Sequence, residues 1–174
     1  SVLAAHPGTR LVFFSGQAAL VRDLFQARLT SALASAGLSL PDRVLFLPDV
    51  PHSDYLRINQ LCDVMLDTPH WSGGNTSLDA LSVGLPIVTL PGAYMRGRQS
   101  MAMLRRLGVD ELVTTHAAEY VTRAVALGRD AEYRARMSRQ IVENHHRLFG
   151  DAEPIVALQD FFKRAVTSRA ELPH

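Results

Sequence analysis

Cysteine occurs once in the 174 residues, at Cys62. A single thiol excludes an internal disulfide and a zinc site built from cysteines. It lies in the apolar run Leu61-Cys62-Asp63-Val64-Met65-Leu66, where a buried structural thiol is expected. An excess of one charge is also missing, since 18 Lys plus Arg stand against 17 Asp plus Glu for a net charge of +1. No general field draws in nucleic acid or an anionic membrane, and any anion site must be local. No apolar run nears the roughly 20 residues that cross a bilayer, and no basic-then-apolar leader with a small-residue cleavage site opens the sequence. The expected compartment is the cytoplasm, with no nucleic-acid or membrane partner. His6, His145 and His146 are too isolated from one another and from carboxylates to have ligand spacing, and there is no Asp-x-Asp pair, so no metal is expected. Ser15-Gly16 and Ser72-Gly73 lack the flanking pattern of a serine nucleophile elbow.

What remains is a chain that is 47% apolar and 20% charged, enough for one core of ordinary size. Short apolar runs of strand length alternate with stretches of helical period, which is the pattern of a parallel sheet crossed over by helices. The strand candidates are Leu11 to Ser15, Arg43 to Leu47, Asp63 to Leu66, Pro86 to Leu90 and Glu111 to Val113. Between the first two, Leu20, Leu24, Ala27, Leu29 and Leu33 mark a helix stopped by Gly37. His52 to Leu61, with Ser53 as candidate N-cap, and Thr76 to Val83, closing at Gly84, are the next two helices. From Arg96 the chain turns helical as far as Gly108, and Ala117 to Leu127, Asp130 to Leu148 and Glu153 to Val166 form a helical tail. Residues 1–150 read as one Rossmann-like lobe and residues 151–174 as a C-terminal helix, joined at Leu148-Phe149-Gly150-Asp151, that either packs on the lobe or reaches beyond it to another lobe. The opening Ser1-Val2-Leu3, and a helical stub ending at Pro7-Gly8 ahead of the first strand, read as part of a longer protein.

The most informative stretch runs from Asp67 through Gly73, Gly74, Asn75, Thr76 and Ser77 to Asp79. A strand ends, a polar glycine-bearing loop follows and a helix opens, so free amides of the first turn face the crevice at the strand's carboxyl end. Gly73 and Gly74 permit close backbone approach, Thr76 and Ser77 add hydroxyls, and the helix dipole favours a phosphate. The same spacing also fits a tight loop with a helix capped by Asn75 or Thr76 and no ligand. Asp79 sits where a carboxylate would hold a ribose diol or compensate the dipole of the first turn. Arg96 and Arg98 are placed to reach a diphosphate or acceptor, while Arg105 and Arg106 are expected to face water. Trp71 and Tyr94 either line a sugar pocket or belong to the core or its rim.

Asp63-Val64-Met65-Leu66-Asp67-Thr68-Pro69, the Gly-Asn-Thr-Ser loop, Asp79-Ala80-Leu81, the run from Gly84 to Gly92 and Arg98 together resemble the catalytic C-terminal half of O-linked N-acetylglucosamine transferases. The flavour is that of bacterial, SPINDLY-like members, usually preceded by tetratricopeptide repeats. The similarity spans about Arg10 to Leu148 and is most specific from Asp63 to Gly92. It implies an α/β fold, the C-terminal lobe of a GT-B glycosyltransferase with a Rossmann-like parallel sheet flanked by helices. It implies further that Gly73 to Ser77 hold the diphosphate of a UDP-sugar, that Asp79 holds the ribose, and that Val50, Pro51, His52 and Tyr55 face the uracil. His52 stands where animal members often carry a lysine, Tyr55 where they carry a stacking histidine, and Gly74 replaces a loop histidine.

The implied reaction passes a sugar, N-acetylglucosamine in the first instance, from its UDP donor to Ser or Thr of a protein, with no cofactor and no metal. Implied partners are the UDP-sugar, a protein acceptor, and the N-terminal lobe and tetratricopeptide repeats of the same protein. The family's first strand of this lobe, with a lysine that neutralises diphosphate charge, would precede Ser1, and the acceptor-side histidines would lie earlier still. No catalytic residue is therefore assigned within these residues, and the piece alone is expected to be inactive. The rival reading is a non-catalytic Rossmann-like module that binds a nucleotide or a partner, because one architecture hosts many functions.

Overall fold

The computed structural model describes residues 1–16 and 18–170. Gln17 and residues 171–174, the end of the expected C-terminal helix segment, lie outside the described residues. The chain opens with α1 (Val2–Ala5), a single turn whose Ala4 amide donates to the Ser1 hydroxyl. Next come β1 (Leu11–Phe14), α2 (Ala19–Ser35), the one-turn α3 (Leu40–Arg43) and β2 (Val44–Leu47), the strand, helix, strand unit that the periodicity predicts. β1 and β2 are parallel, with Leu11 opposite Val44 and Phe14 opposite Leu47. Phe13 anchors the crossover helix edge-on against Phe25 at 5.1 Å and stacks on Phe46 at 5.8 Å. α2 stops where Gly37 takes φ +68°, a left-handed turn that a side chain would disfavour.

α4 (His52–Leu61), β3 (Met65–Leu66), α5 (Asn75–Ser82) and β4 (Ile87–Val88) repeat the alternation. Met65 pairs with Ile87 and Leu66 with Val88, again in parallel. α6 (Gln99–Arg106), α7 (Ala117–Arg129) and α8 (Ala131–Glu143) then close over this second ladder. Their apolar faces meet in the main core, where Leu81, Ile87, Leu104, Leu112, Leu127 and Ile141 are fully buried. Each such side chain stabilises the fold by about 1.5 to 3 kcal/mol of transfer energy, so this cluster fixes the frame that carries the loop after β3.

Several expected details differ. The parallel strands are hydrogen-bonded as two separate pairs, β1 with β2 and β3 with β4. The strand expected over Glu111 to Val113 is a 3-10 turn at Asp110–Leu112, because the Val113 amide closes back on the Asp110 carbonyl at 2.9 Å. Only Val113 then bridges to Thr89. Ser53 does not cap α4; the helix begins on the Pro51 carbonyl, which accepts from the Asp54 and Tyr55 amides. The helix expected from Asp130 to Leu148 ends at Glu143, with Asp130 as its N-cap, and a 3-10 turn at His145–Arg147 follows. Cys62 is half-buried rather than buried, although it packs against the core and burial pushes its thiol up. α9 (Glu153–Ala170) follows the joint, and every residue in it from Glu153 to Thr167 is exposed, so it does not pack on the lobe.

Candidate functional site

The loop between β3 and α5 is built around one carboxylate. Asp67 leaves the strand with its amide on the Val88 carbonyl at 3.0 Å, and only 2% of its surface is exposed. A buried carboxylate is tolerable only when hydrogen-bond donors replace the lost water. Three do. Oδ1 accepts from the Gly73 amide at 2.8 Å, and Oδ2 accepts from the Ser72 hydroxyl at 2.8 Å and the Thr89 hydroxyl at 2.6 Å. Ser72 Oγ lies 2.9 Å from Ser100 Oγ, which lies 2.8 Å from Ser77 Oγ, so a buried hydroxyl chain ends on the carboxylate. The Ser100 amide donates to Ser72 Oγ at 2.9 Å and ties the N-terminus of α6 into the same cluster. From α7, the Tyr120 hydroxyl donates to the Asp67 carbonyl at 2.9 Å; burial, then the Asp67 charge, holds this phenol well above its ordinary range.

With the loop held this way, α5 opens at Asn75 on Gly74, and no side chain caps it. Neither Asn75 nor Thr76 is the cap that the ligand-free reading expects. The Gly74 carbonyl accepts from the Ser77 and Leu78 amides at 3.1 Å each. The Gly73 amide is spent on Asp67, while those of Gly74, Asn75 and Thr76 donate to no acceptor among the described residues. Asn75 and Thr76 are exposed. Three unsatisfied amides at the positive end of a helix are an anion-binding arrangement. Ser77 differs from its neighbours: it is 0% exposed and its hydroxyl faces Ser100, so this side chain is not offered to a ligand.

Asp79, one turn into α5, is half-buried, and its Oδ1 lies 3.0 Å from Nε2 of His52, the first residue of α4. The His52 ring stacks with Tyr55 at 6.4 Å, and Tyr55 packs on Phe14 at 4.9 Å. Burial raises the Tyr55 phenol, and the Asp79 charge adds to the effect. Val50 is half-buried two residues ahead of His52. The structure thus brings His52 and Tyr55 to Asp79, a pairing across 27 residues that no spacing rule could have found.

The basic residues divide. Arg98 is spent on its own loop, donating from Nε to the Gly92 carbonyl at 3.2 Å and from Nη2 to the Ala93 carbonyl at 2.6 Å. Arg96 lies over the rings of Tyr94 at 5.3 Å and Trp71 at 6.0 Å, and its carbonyl accepts from the Ser72 amide at 2.7 Å. Trp71 and Tyr94 are 69% and 71% exposed, which excludes a core role for either. Arg105 pairs with Asp110 at 3.6 Å. Arg106 is exposed, as expected, and also bridges to the Arg147 carbonyl and the Asp151 carboxylate. Among the described residues no group of three His, Cys, Asp or Glu side chains is placed to hold a metal, and no helix is long and apolar enough to cross a membrane.

The sequence profile of glycosyl transferase family 41 matches residues 24–150. Over 101 residues, 58% of this chain and 9% of the relative, the chain is 40% identical to the UDP-N-acetylglucosamine–peptide N-acetylglucosaminyltransferase of Caenorhabditis elegans. Over 130 residues, 74% of this chain and 14% of the relative, it is 31% identical to a probable enzyme of the same description, SPINDLY, from Solanum lycopersicum. A solved structure of a mutant O-GlcNAc transferase from Thermobaculum terrenum superposes with a TM-score of 0.80 at 36% identity, covering 94% of this chain and 31% of that one. The chain therefore spans 9% and 14% of the two curated relatives and about a third of the solved chain.

Proposed function

The chain belongs to glycosyl transferase family 41, and on that premise we propose that it is the donor-binding lobe of an enzyme that moves a sugar from a UDP donor to a protein. The observation that carries this reading is the trio of unpaired amides at Gly74, Asn75 and Thr76, with Asp79 one turn further along the same helix. In this reading the amides and the Thr76 hydroxyl hold the diphosphate, Asp79 takes the ribose diol, and His52, Tyr55 and Val50 border the uracil. The His52 imidazole then holds Asp79 in place until the ribose arrives.

The donor is UDP-N-acetylglucosamine and the acceptor a Ser or Thr hydroxyl. The hydroxyl oxygen bonds to the anomeric carbon as the bond from that carbon to the diphosphate oxygen breaks, and UDP leaves with a second negative charge. The hydroxyl proton passes to a base outside these residues. Amides fixed before the reaction act where that charge develops, at no reorganisation cost. No metal is needed for this step.

The rest of the site belongs, in this reading, to an N-terminal lobe and tetratricopeptide repeats of the same protein. Two features support it. β1 pairs only with β2 and β3 only with β4 among the described residues, leaving edges for a further strand of this lobe, which a longer chain carrying the N-terminal lobe would supply. Ile155, Leu158, Phe161 and Phe162 on α9 are exposed, an apolar surface suited to a neighbouring lobe. The test is turnover: the full-length protein, given UDP-N-acetylglucosamine and Ser/Thr peptides, should yield glycopeptides by mass spectrometry. Thr76→Ala should lower the rate about tenfold or more by removing one charge-assisted hydrogen bond. Absence of glycopeptide with the UDP-sugar, or a wild-type rate in the variant, would contradict the assignment.

A further inference from the structure

We propose that Asp67 is a positioning residue for diphosphate recognition, acting through Gly73 and Ser72 on the amides of Gly74, Asn75 and Thr76. The inference rests on the reading of this loop as a phosphate site and supplies the group that sets its shape. A carboxylate used only to join β3 to β4 would be served by Thr89 alone, yet Asp67 also accepts from two successive residues of the loop, the Ser72 hydroxyl and the Gly73 amide. Those two contacts fix both ends of the Ser72–Gly73 peptide one residue ahead of the free amides.

The Ser72 amide on the Arg96 carbonyl and the Ser100 amide on Ser72 Oγ hold the outer side of the loop, and Asp67 holds the peptide that leads into the helix. α5 has no side-chain cap, so the direction of its first turn is set by the loop that enters it. Gly73 packs closely on the first turn of α5, since a Cβ at this position would stand 2.3 Å from Ser77 Oγ and 2.8 Å from Thr76 Oγ1. The Ser72, Ser100 and Ser77 hydroxyls carry the constraint onward, so the first turn of α5 is fastened from below by Ser77 and from its entry by Gly73. The Asp67 charge is met by three donors, and the hydroxyl chain leaves no buried polar side-chain atom unpaired among the described residues. Fully satisfied buried networks hold one geometry, and amides that must meet a diphosphate need one geometry.

The test uses the full-length protein and three probes, UDP, UMP and uridine, titrated by calorimetry. In Asp67→Asn an amide NH2 replaces one acceptor oxygen, so at least one of the three donors loses its partner. The preference for UDP over UMP should fall about tenfold while uridine affinity is unchanged. A purely structural role would weaken all three probes together, and that result would overturn the proposal, as would a folded Asp67→Asn protein that keeps the wild-type preference. Should Asp67→Asn not fold, Ser72→Ala keeps the carboxylate and removes one loop contact; it should cut the UDP preference about threefold with uridine again unaffected, and an unchanged preference would overturn the proposal. A wild-type protein with no preference for UDP over UMP removes the phosphate-loop reading itself, an outcome separable from a preference that survives the substitutions.

Discussion

A methyl group on Gly73 would stand 2.3 Å from Ser77 Oγ and 2.8 Å from Thr76 Oγ1, whereas one on Gly74 would meet only the tip of Gln99 at 3.1 Å. Gly73→Ala should therefore cost about 1 to 3 kcal/mol of stability, and Gly74→Ala clearly less, when both are compared by chemical denaturation. Asp79→Asn should weaken UDP binding without lowering the melting temperature, since the exposed His52 contact contributes little to folding. Loss of sensitivity to 2′-deoxy and 3′-deoxy uridine nucleotides would place the effect at the ribose. Tyr120 gives a pH signature. Its phenol is raised in the folded state, so the folded protein holds that proton after the unfolded chain has begun to release it near pH 10. Its contribution to stability is complete below about pH 10 and is lost as pH rises further, and Tyr120→Phe should flatten the alkaline limb of the stability curve. At this scale the glycine-bearing loop and the helix that opens from it were legible in the sequence, because their signals are local. The sequence hid the Asp67 cluster, whose partners Thr89, Ser100 and Tyr120 come from three later elements. Ser77 misled for the same reason: a polar residue in a glycine loop looks like a ligand donor until its burial is known.

Among the elements, α5 depends on how it ends as much as on how it begins. Gly84 has φ +77°, and a Cβ there would lie 2.9 Å from Ser138 Oγ and 2.9 Å from Val142 Cγ2 on α8. Gly84→Ala combines backbone strain with a clash and should cost more than about 1 kcal/mol, read as a lower denaturation midpoint. The helix and strand alternation from Leu11 to Val88 was legible because periods of two and 3.6 residues differ plainly. Its ends were less so. Ser53 has the chemistry of a cap, but Pro51 already presets the entry of α4 and its carbonyl takes the first amides. Glu111 to Val113 reads as a strand by its apolar residues, yet the Val113 amide reaches the nearer Asp110 carbonyl and closes a turn. The exposure of α9 could not be read at all, since an amphipathic pattern does not say which surface it meets.

At the scale of the whole molecule, the proposed function requires this chain to be one wall of a two-walled site. The Gly73–Thr76 loop, Asp79 and the His52–Tyr55 pair would form that wall, with the acceptor side supplied by the proposed N-terminal lobe. A purified protein of these 174 residues should then transfer no sugar to peptides by mass spectrometry, because an unclosed cleft leaves the donor in water. The most direct measurement of the central claim is calorimetric titration of the same protein with UDP and, separately, ADP. Binding of UDP should be weak, on the order of 4 to 6 kcal/mol, and tighter than that of ADP. A folded protein that shows no heat at several millimolar UDP, or that prefers ADP, would contradict it.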